Sequence, residues 1–199
     1  MRKISFLSFM IMLLFAVASC SSDEPATTEP GGNLSGDVEK TLIVYFSWGG
    51  NTKTVANHIH DLIGGEIVEV ETVIPYPDTY EEVTQIAPGE LANDYRPELK
   101  TKVDNMDEYD TLIVGTPIWG GHLTPAMKSF LASYNLSGKA IAPFCTHGGS
   151  GTAQSVNDIR SVCPNSIILG SLAVYGSRAE SSRADAERWL KQIGIIKNN

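Results

Sequence analysis

The chain has 199 residues, 42% of them hydrophobic and 19% charged, with a formal net charge of −8. That acidity weighs against nucleic acid or an anionic lipid surface as a partner. Cysteine use is sparse, and the length suits one domain with a real core once the N-terminal region is set aside.

Residues 1–19 read as a signal peptide. Arg2 and Lys3 give a charged start, a mostly apolar run follows to Val17, and small residues lead into Cys20. Val17-Ala18-Ser19-Cys20 resembles the lipobox of bacterial lipoproteins. The resemblance implies lipidation of Cys20 and anchoring to a membrane of the bacterial cell envelope. The competing reading is an ordinary secretory signal with an incidental cysteine. Residues 20–39 then form a tether: rich in Ser, Thr, Pro, Gly and acid, they hold too little apolar bulk to build a core.

Residues 40–199 carry the fold and stay acidic, with 13 Lys and Arg against 18 Asp and Glu. Thr41 to Phe46 is an apolar, β-rich run and reads as a buried strand. Ser47, Trp48, Gly49 and Gly50 form a loop. Asn51 is expected to cap a helix whose apolar positions are Val55, Ile59, Leu62 and Ile63. Strand, glycine loop and helix N-terminus together make an anion site through free N–H groups and the helix dipole. The alternative is a βα turn that binds nothing.

Gly64-Gly65 stops the helix, and Glu66 to Glu71 reads as a second strand. The long stretch from Thr72 to Asp110 carries two predicted short helices. One is opened by a capping box of Asp78 and Glu81 and ended by Pro88; the other starts at Pro97 and uses Leu99, Val103 and Met106. Tyr76, Tyr80, Tyr95 and Arg96 in this stretch either line a pocket or are ordinary loop packing. Thr111 to Val114 is a third strand, running into Thr116, Pro117, Ile118, Trp119, Gly120, Gly121 and His122. The next helix starts at Thr124-Pro125, with Met127, Phe130, Leu131 and Tyr134 inward.

Lys139 to Cys145 is a fourth strand, ending in Thr146, His147, Gly148, Gly149, Ser150 and Gly151. A helix over Thr152 to Val162 follows. Ser166 to Leu169 and Leu172 to Tyr175 form a last strand broken at Gly170. The final helix begins near Ser181 and ends at Gly194. This alternation predicts an α/β fold: a doubly wound, five-stranded parallel sheet of order 2-1-3-4-5 with helices on both faces. In that order the three glycine-rich loops follow adjacent strands and open on one crevice.

The loops suit a phosphorylated aromatic heterocycle: phosphate on the first, Trp119 as a flat platform on the second, amides and His147 on the third. Other chemistries fit worse. A Walker A loop lacks its glycine before Lys53-Thr54, and a nucleophile elbow fails at Thr152. A dinucleotide fingerprint fails at Gln154, and a phosphatase loop lacks an arginine near Cys145. No acidic pair follows the first strand, which argues against a receiver domain. His58 and His60 are two apart on a helix and make poor metal ligands. Cys145 and Cys163 are the two cysteines left for a disulfide, and the sequence leaves open whether they meet.

The whole domain resembles the flavodoxins, in particular small single-domain bacterial ones. Ser47-Trp48-Gly49-Gly50-Asn51-Thr52 resembles the family's phosphate loop T/S-x-T-G-x-T, with Gly49 where a hydroxyl residue is usual. Thr116-Pro117-Ile118-Trp119-Gly120-Gly121 resembles the loop whose aromatic packs on the flavin ring. Thr146-His147-Gly148-Gly149-Ser150-Gly151 resembles the loop holding the pyrimidine side, without the tyrosine common there. The resemblance implies non-covalent FMN. Thr116 to Pro125 and Phe144 to Ala153 contain no acid and two histidines. That favours two-electron transfer to a quinone-like or other small acceptor over very low-potential chemistry, and so an FMN-dependent oxidoreductase. Two alternatives stand beside it: a tethered one-electron carrier between membrane partners, and a flavin-free binding lipoprotein on the same fold. The sequence names neither the electron donor nor the acceptor.

Overall fold

The computed structural model describes residues 40–197. The expected signal peptide, Cys20 and the tether at 20–39 lie outside the described residues. Six strands form one sheet: β1 (Thr41–Tyr45), β2 (Glu66–Glu69), β3 (Thr111–Pro117), β4 (Ala140–His147), β5 (Ile167–Ile168) and β6 (Leu172–Tyr175). The order is β2-β1-β3-β4-β5, with β6 also paired to β4, and all pairings are parallel. This is the doubly wound order expected from the alternation of strands and helices. The fifth position is shared by two pieces, one on Ala140 and Ile141 and the other on Phe144 to His147.

Alternate residues of the central strands serve opposite layers, as strand geometry requires. Ile43, Tyr45, Ile113, Ala142 and Phe144 pack under helices α1 (Asn51–Ile63) and α5 (Arg183–Gln192), against Val55, Ile59, Trp189 and Leu190. Leu42, Val44, Leu112, Val114 and Ile141 face α2 (Tyr80–Ala92), α3 (Pro125–Ala132) and α4 (Ser155–Val162), against Val83, Met127, Phe130 and Ile159. Each large side chain buried this fully is worth about 1.5–3 kcal/mol of transfer free energy. Gly115 is needed in β3: a Cβ there would lie 2.1 Å from the Phe144 ring. No helix among the described residues is long and apolar enough to cross a membrane.

Local expectations are corrected at five points. Asn51 is the first residue of α1 rather than its cap; Gly50 caps in a left-handed conformation (φ 84), and the Ser47 hydroxyl accepts from Lys53 N at 3.2 Å. The cap of α2 is Thr79, one residue along, whose hydroxyl accepts from Glu82 N at 3.3 Å and donates to Glu82 Oε2, and the helix runs past Pro88 to Ala92. Its last turn closes because Asn93 N and Nδ2 both donate to Gly89 O. The stretch from Pro97 is extended rather than helical. Its backbone pairs with residues 71–73 through Val73 N to Glu98 O and Lys100 N to Glu71 O, and those partners outcompete a helix. Leu99, Val103 and Met106 still pack into the core cluster from there, Met106 from a short 3-10 turn. Finally, Thr152 to Gln154 precede α4, and a 3-10 turn over Gly176–Ser181 precedes α5.

Candidate functional site

Register places the three loops side by side at the C-terminal edge of the sheet. Tyr45 pairs with Gly115, Thr116 with Cys145, Pro117 with Thr146, and His147 with Tyr175. Ile118 N donates to Thr146 O at 2.9 Å, and Gln154 N donates to Gly121 O at 2.8 Å, tying the second loop to the third.

The first loop is built as an anion cradle. Among the described residues, none of the backbone N–H groups of Ser47, Trp48, Gly49, Gly50, Asn51 and Thr52 donates to a protein acceptor. All lie at the N-terminus of α1, where the dipole favours negative charge. Gly49 and Gly50 are exposed, and a Cβ built on either meets nothing within 4 Å. Trp48 folds away from the cradle, its Nε1 donating to Pro77 O at 2.7 Å. Beneath the cradle the hydroxyls of Thr52 and Thr146 meet at 2.8 Å, both buried. With Thr146 as the donor, the Thr52 proton is left for an anion above it.

The second loop is a two-residue hairpin. Trp119 and His122 exchange backbone bonds, and Gly120 and Gly121 both have positive φ (54 and 87), as such a turn demands. A Cβ at Gly120 would also meet Leu91 at 2.9 Å. Trp119 is not a free platform: it is 9% exposed, and Tyr76 and Phe46 meet it edge-on at centroid distances of 4.8 and 5.8 Å. The indole is a fixed wall of the crevice. Thr116 and Thr124 share a hydroxyl contact at 3.1 Å below it.

In the third loop His147 closes β4 and is buried, its ring 4.4 Å from that of Tyr175. Gly149 N donates to its Nδ1 at 3.0 Å. The neutral ring therefore carries its proton on Nε2. Gly148, Gly149 and Ser150 are exposed, and Gly149 and Gly151 use φ of 148 and 61.

Several contributors were not legible as site residues. Tyr175 lies at the end of a strand named only for its fit to the fold. Asp158, a helical turn along α4, reaches back to His122 with Nδ1 to Oδ2 at 3.0 Å. So a carboxylate does approach the second loop, although the loop sequences themselves are acid-free. Of the aromatic cluster, Tyr76 joins the Trp119 wall and donates to Glu90 at 2.9 Å. Arg96 bonds Lys128 O and Asp94 instead, and Tyr95 is exposed. Burial pushes the Tyr76 phenol up, reinforced by Glu90, and raises the Glu90 carboxyl as well. Cys145 and Cys163 are both free and buried. No group of three or more His, Cys, Asp or Glu suited to a metal occurs among the described residues.

A family model described as flavodoxin matches residues 40–193. The chain belongs to the flavodoxin family. Among solved structures it is similar to a putative flavoprotein from Bacteroides eggerthii DSM 20697, 25% identical with a TM-score of 0.69, covering 79% of this chain and 99% of that one. A putative flavoprotein from Bacteroides uniformis ATCC 8492 is also 25% identical, with a TM-score of 0.66 and coverages of 76% and 97%. A flavoprotein from Lactobacillus acidophilus NCFM, solved in complex with FMN, shares the fold at 24% identity and a TM-score of 0.59, covering 76% of this chain and 98% of that one.

Proposed function

We propose that this flavodoxin binds FMN in the crevice of the three loops and passes two electrons to a quinone-like or other small acceptor. In this reading it works as an FMN-dependent oxidoreductase, tethered by lipid on Cys20 to a membrane of the bacterial envelope. The observation that carries the reading is the cradle: six adjacent backbone N–H groups without a protein acceptor, beside the fixed indole of Trp119. A monophosphate dianion satisfies those donors, and an aromatic ring is the natural cover for the indole.

Within the site, Ser47 to Thr52 hold the phosphate, with the Thr52 hydroxyl adding a donor. Thr116 to Gly120 wall the ring. Thr146, His147, Gly148, Gly149 and Gly151 face its polar edge, where His147 offers Nε2–H. Bound FMN supplies the reversible electron and hydride chemistry. The preference for two electrons is supported by the local charge. Asp158 is an acid that reaches the second loop, and its carboxylate is held by His122 and by Leu123 N. It therefore adds little unscreened negative charge against a reduced ring.

The test is titration of the apoprotein with FMN, followed by flavin fluorescence. One-to-one quenching, lost in Trp119→Ala and weakened in Thr52→Val, is expected. Absence of binding at micromolar FMN refutes the cofactor and the redox chemistry together. Potentiometry of the loaded protein then separates a single two-electron wave from two one-electron steps, which would mark a carrier. Labelling with a radioactive fatty acid, abolished by Cys20→Ala, tests the tether.

A further inference from the structure

The two histidines of the crevice loops are wired in opposite senses. His147 receives a backbone N–H on Nδ1, so its Nε2 carries the proton and serves as a fixed donor. His122 faces a carboxylate: Nδ1 lies 3.0 Å from Asp158 Oδ2 and 3.3 Å from Oδ1. A carboxylate accepts, so this ring holds its proton on Nδ1 and keeps Nε2 as the nitrogen that can gain and lose one. Asp158 is itself held, because Leu123 N donates to the same oxygen at 2.9 Å. Its side chain is 17% exposed and that of His122 is 41% exposed. The carboxylate is thus sheltered while the imidazole reaches solvent. Among the described residues, Asp158 is the one charged group within ion-pair distance of His122. The backbone bonds between Trp119 and His122, at 2.8 and 3.2 Å, hold the two residues opposite one another across the hairpin.

We propose that His122 is the proton donor of the acceptor-reducing step and that Asp158 is its positioning residue. The inference rests on the two-electron reading above. Reducing a quinone to a hydroquinone takes two electrons and two protons. One hydride equivalent brings both electrons and one proton. The second proton leaves His122 Nε2 as a new O–H bond forms on the acceptor, and solvent returns it through the exposed side of the ring. Asp158 balances the imidazolium before the transfer and keeps the Nδ1 proton in place through it. His147 does not serve this role, because its Nδ1 is occupied and its ring is buried against Tyr175.

The experiment uses the full chain loaded with FMN, reduced by one equivalent of dithionite and mixed anaerobically with p-benzoquinone across a pH series. Wild type, His122→Gln and Asp158→Asn are compared after their FMN affinities are measured. The wild-type rate should fall with rising pH. The His122→Gln rate should be at least ~10²-fold lower and flat with pH. Independently of turnover, ¹⁵N-histidine NMR of the flavin-free protein should show His122 protonated on Nδ1, with that preference lost in Asp158→Asn. A His122→Gln protein with the wild-type rate and pH profile overturns the proposal and leaves the two-electron reading intact, as does a neutral His122 ring that carries its single proton on Nε2 in wild type. A wild-type protein that forms only one-electron-reduced acceptor overturns both.

Discussion

The buried hydroxyl pair of Thr52 and Thr146 links the start of α1 to the central strand β4, and its energetics are open to a double-mutant cycle. Thr52 is 1% exposed, Thr146 is 4% exposed, and among the described residues each side-chain oxygen has the other as its partner at 2.8 Å. Thr52→Val keeps the shape but leaves the Thr146 hydroxyl buried and unpaired, which costs about 1–3 kcal/mol. Thr146→Val does the same to Thr52. The double variant removes both polar groups, so its cost should fall well below the sum, with a coupling of about 1–2 kcal/mol. Urea unfolding with linear extrapolation gives each value, provided the slopes agree. The pair at Thr116 and Thr124 is the control. Thr116 also donates to Pro117 O at 3.0 Å, so Thr124→Val leaves it satisfied and should cost less than Thr52→Val. Strict additivity in the first cycle would refute the reasoning, since it would mean that neither hydroxyl depends on the other.

Gly49 lies outside the left-handed region and an added Cβ meets open space, so Gly49→Thr should fold normally. Its hydroxyl supplies a hydrogen bond to a charged phosphate, about 1.5–3 kcal/mol, and FMN titration should show roughly 10- to 100-fold tighter binding. Burial pushes the thiols of Cys145 and Cys163 up to about 12 and about 11. In a Cys20→Ser chain, a disulfide reagent at pH 8 should therefore label neither until denaturant is added; rapid labelling of the native protein would contradict that burial. Glu90 is raised by burial despite the lowering effect of its Tyr76 bond. The folded state then holds that proton more tightly than the unfolded chain, so stability is greater below the ordinary glutamate range. It is lost as pH rises through the interval up to the raised value. Glu90→Gln still accepts from Tyr76 and should flatten the dependence of Tm on pH across that interval; an unchanged slope would count against it.

The strand order was readable because apolar runs of β-branched residues alternate with helical stripes, and parallel sheets leave few ways to connect them. The loops were readable because glycine at Gly50, Gly120 and Gly121 answers a backbone demand that composition alone reveals. Pairing across space was not. Asp158 sits four residues from Gln154 in a polar helix, and nothing local marks it as the partner of His122. Leu99, Val103 and Met106 carry a helical spacing, yet the backbone there finds better partners in residues 71–73. Thr79 and Asp78 are both good caps, and the chain uses Thr79, whose hydroxyl accepts from Glu82 N. The seat of Trp119 against Tyr76 and Phe46 depends on segments far from it in sequence, which nothing local to the second loop reveals.

The split of the last sheet position into β5 and β6 bears on how copies of this protein treat one another. An uninterrupted edge strand offers a ladder of unpaired amides on which another chain can dock. Here the margin beside β4 is two short pieces, and at the break between them the Gly170 carbonyl is taken by Trp189 Nε1 at 2.8 Å. The opposite margin, β2, is four residues long and begins and ends with glutamate. Neither border is long enough to template a neighbour. A ragged border of this kind keeps chance encounters between sheets from growing into fibres.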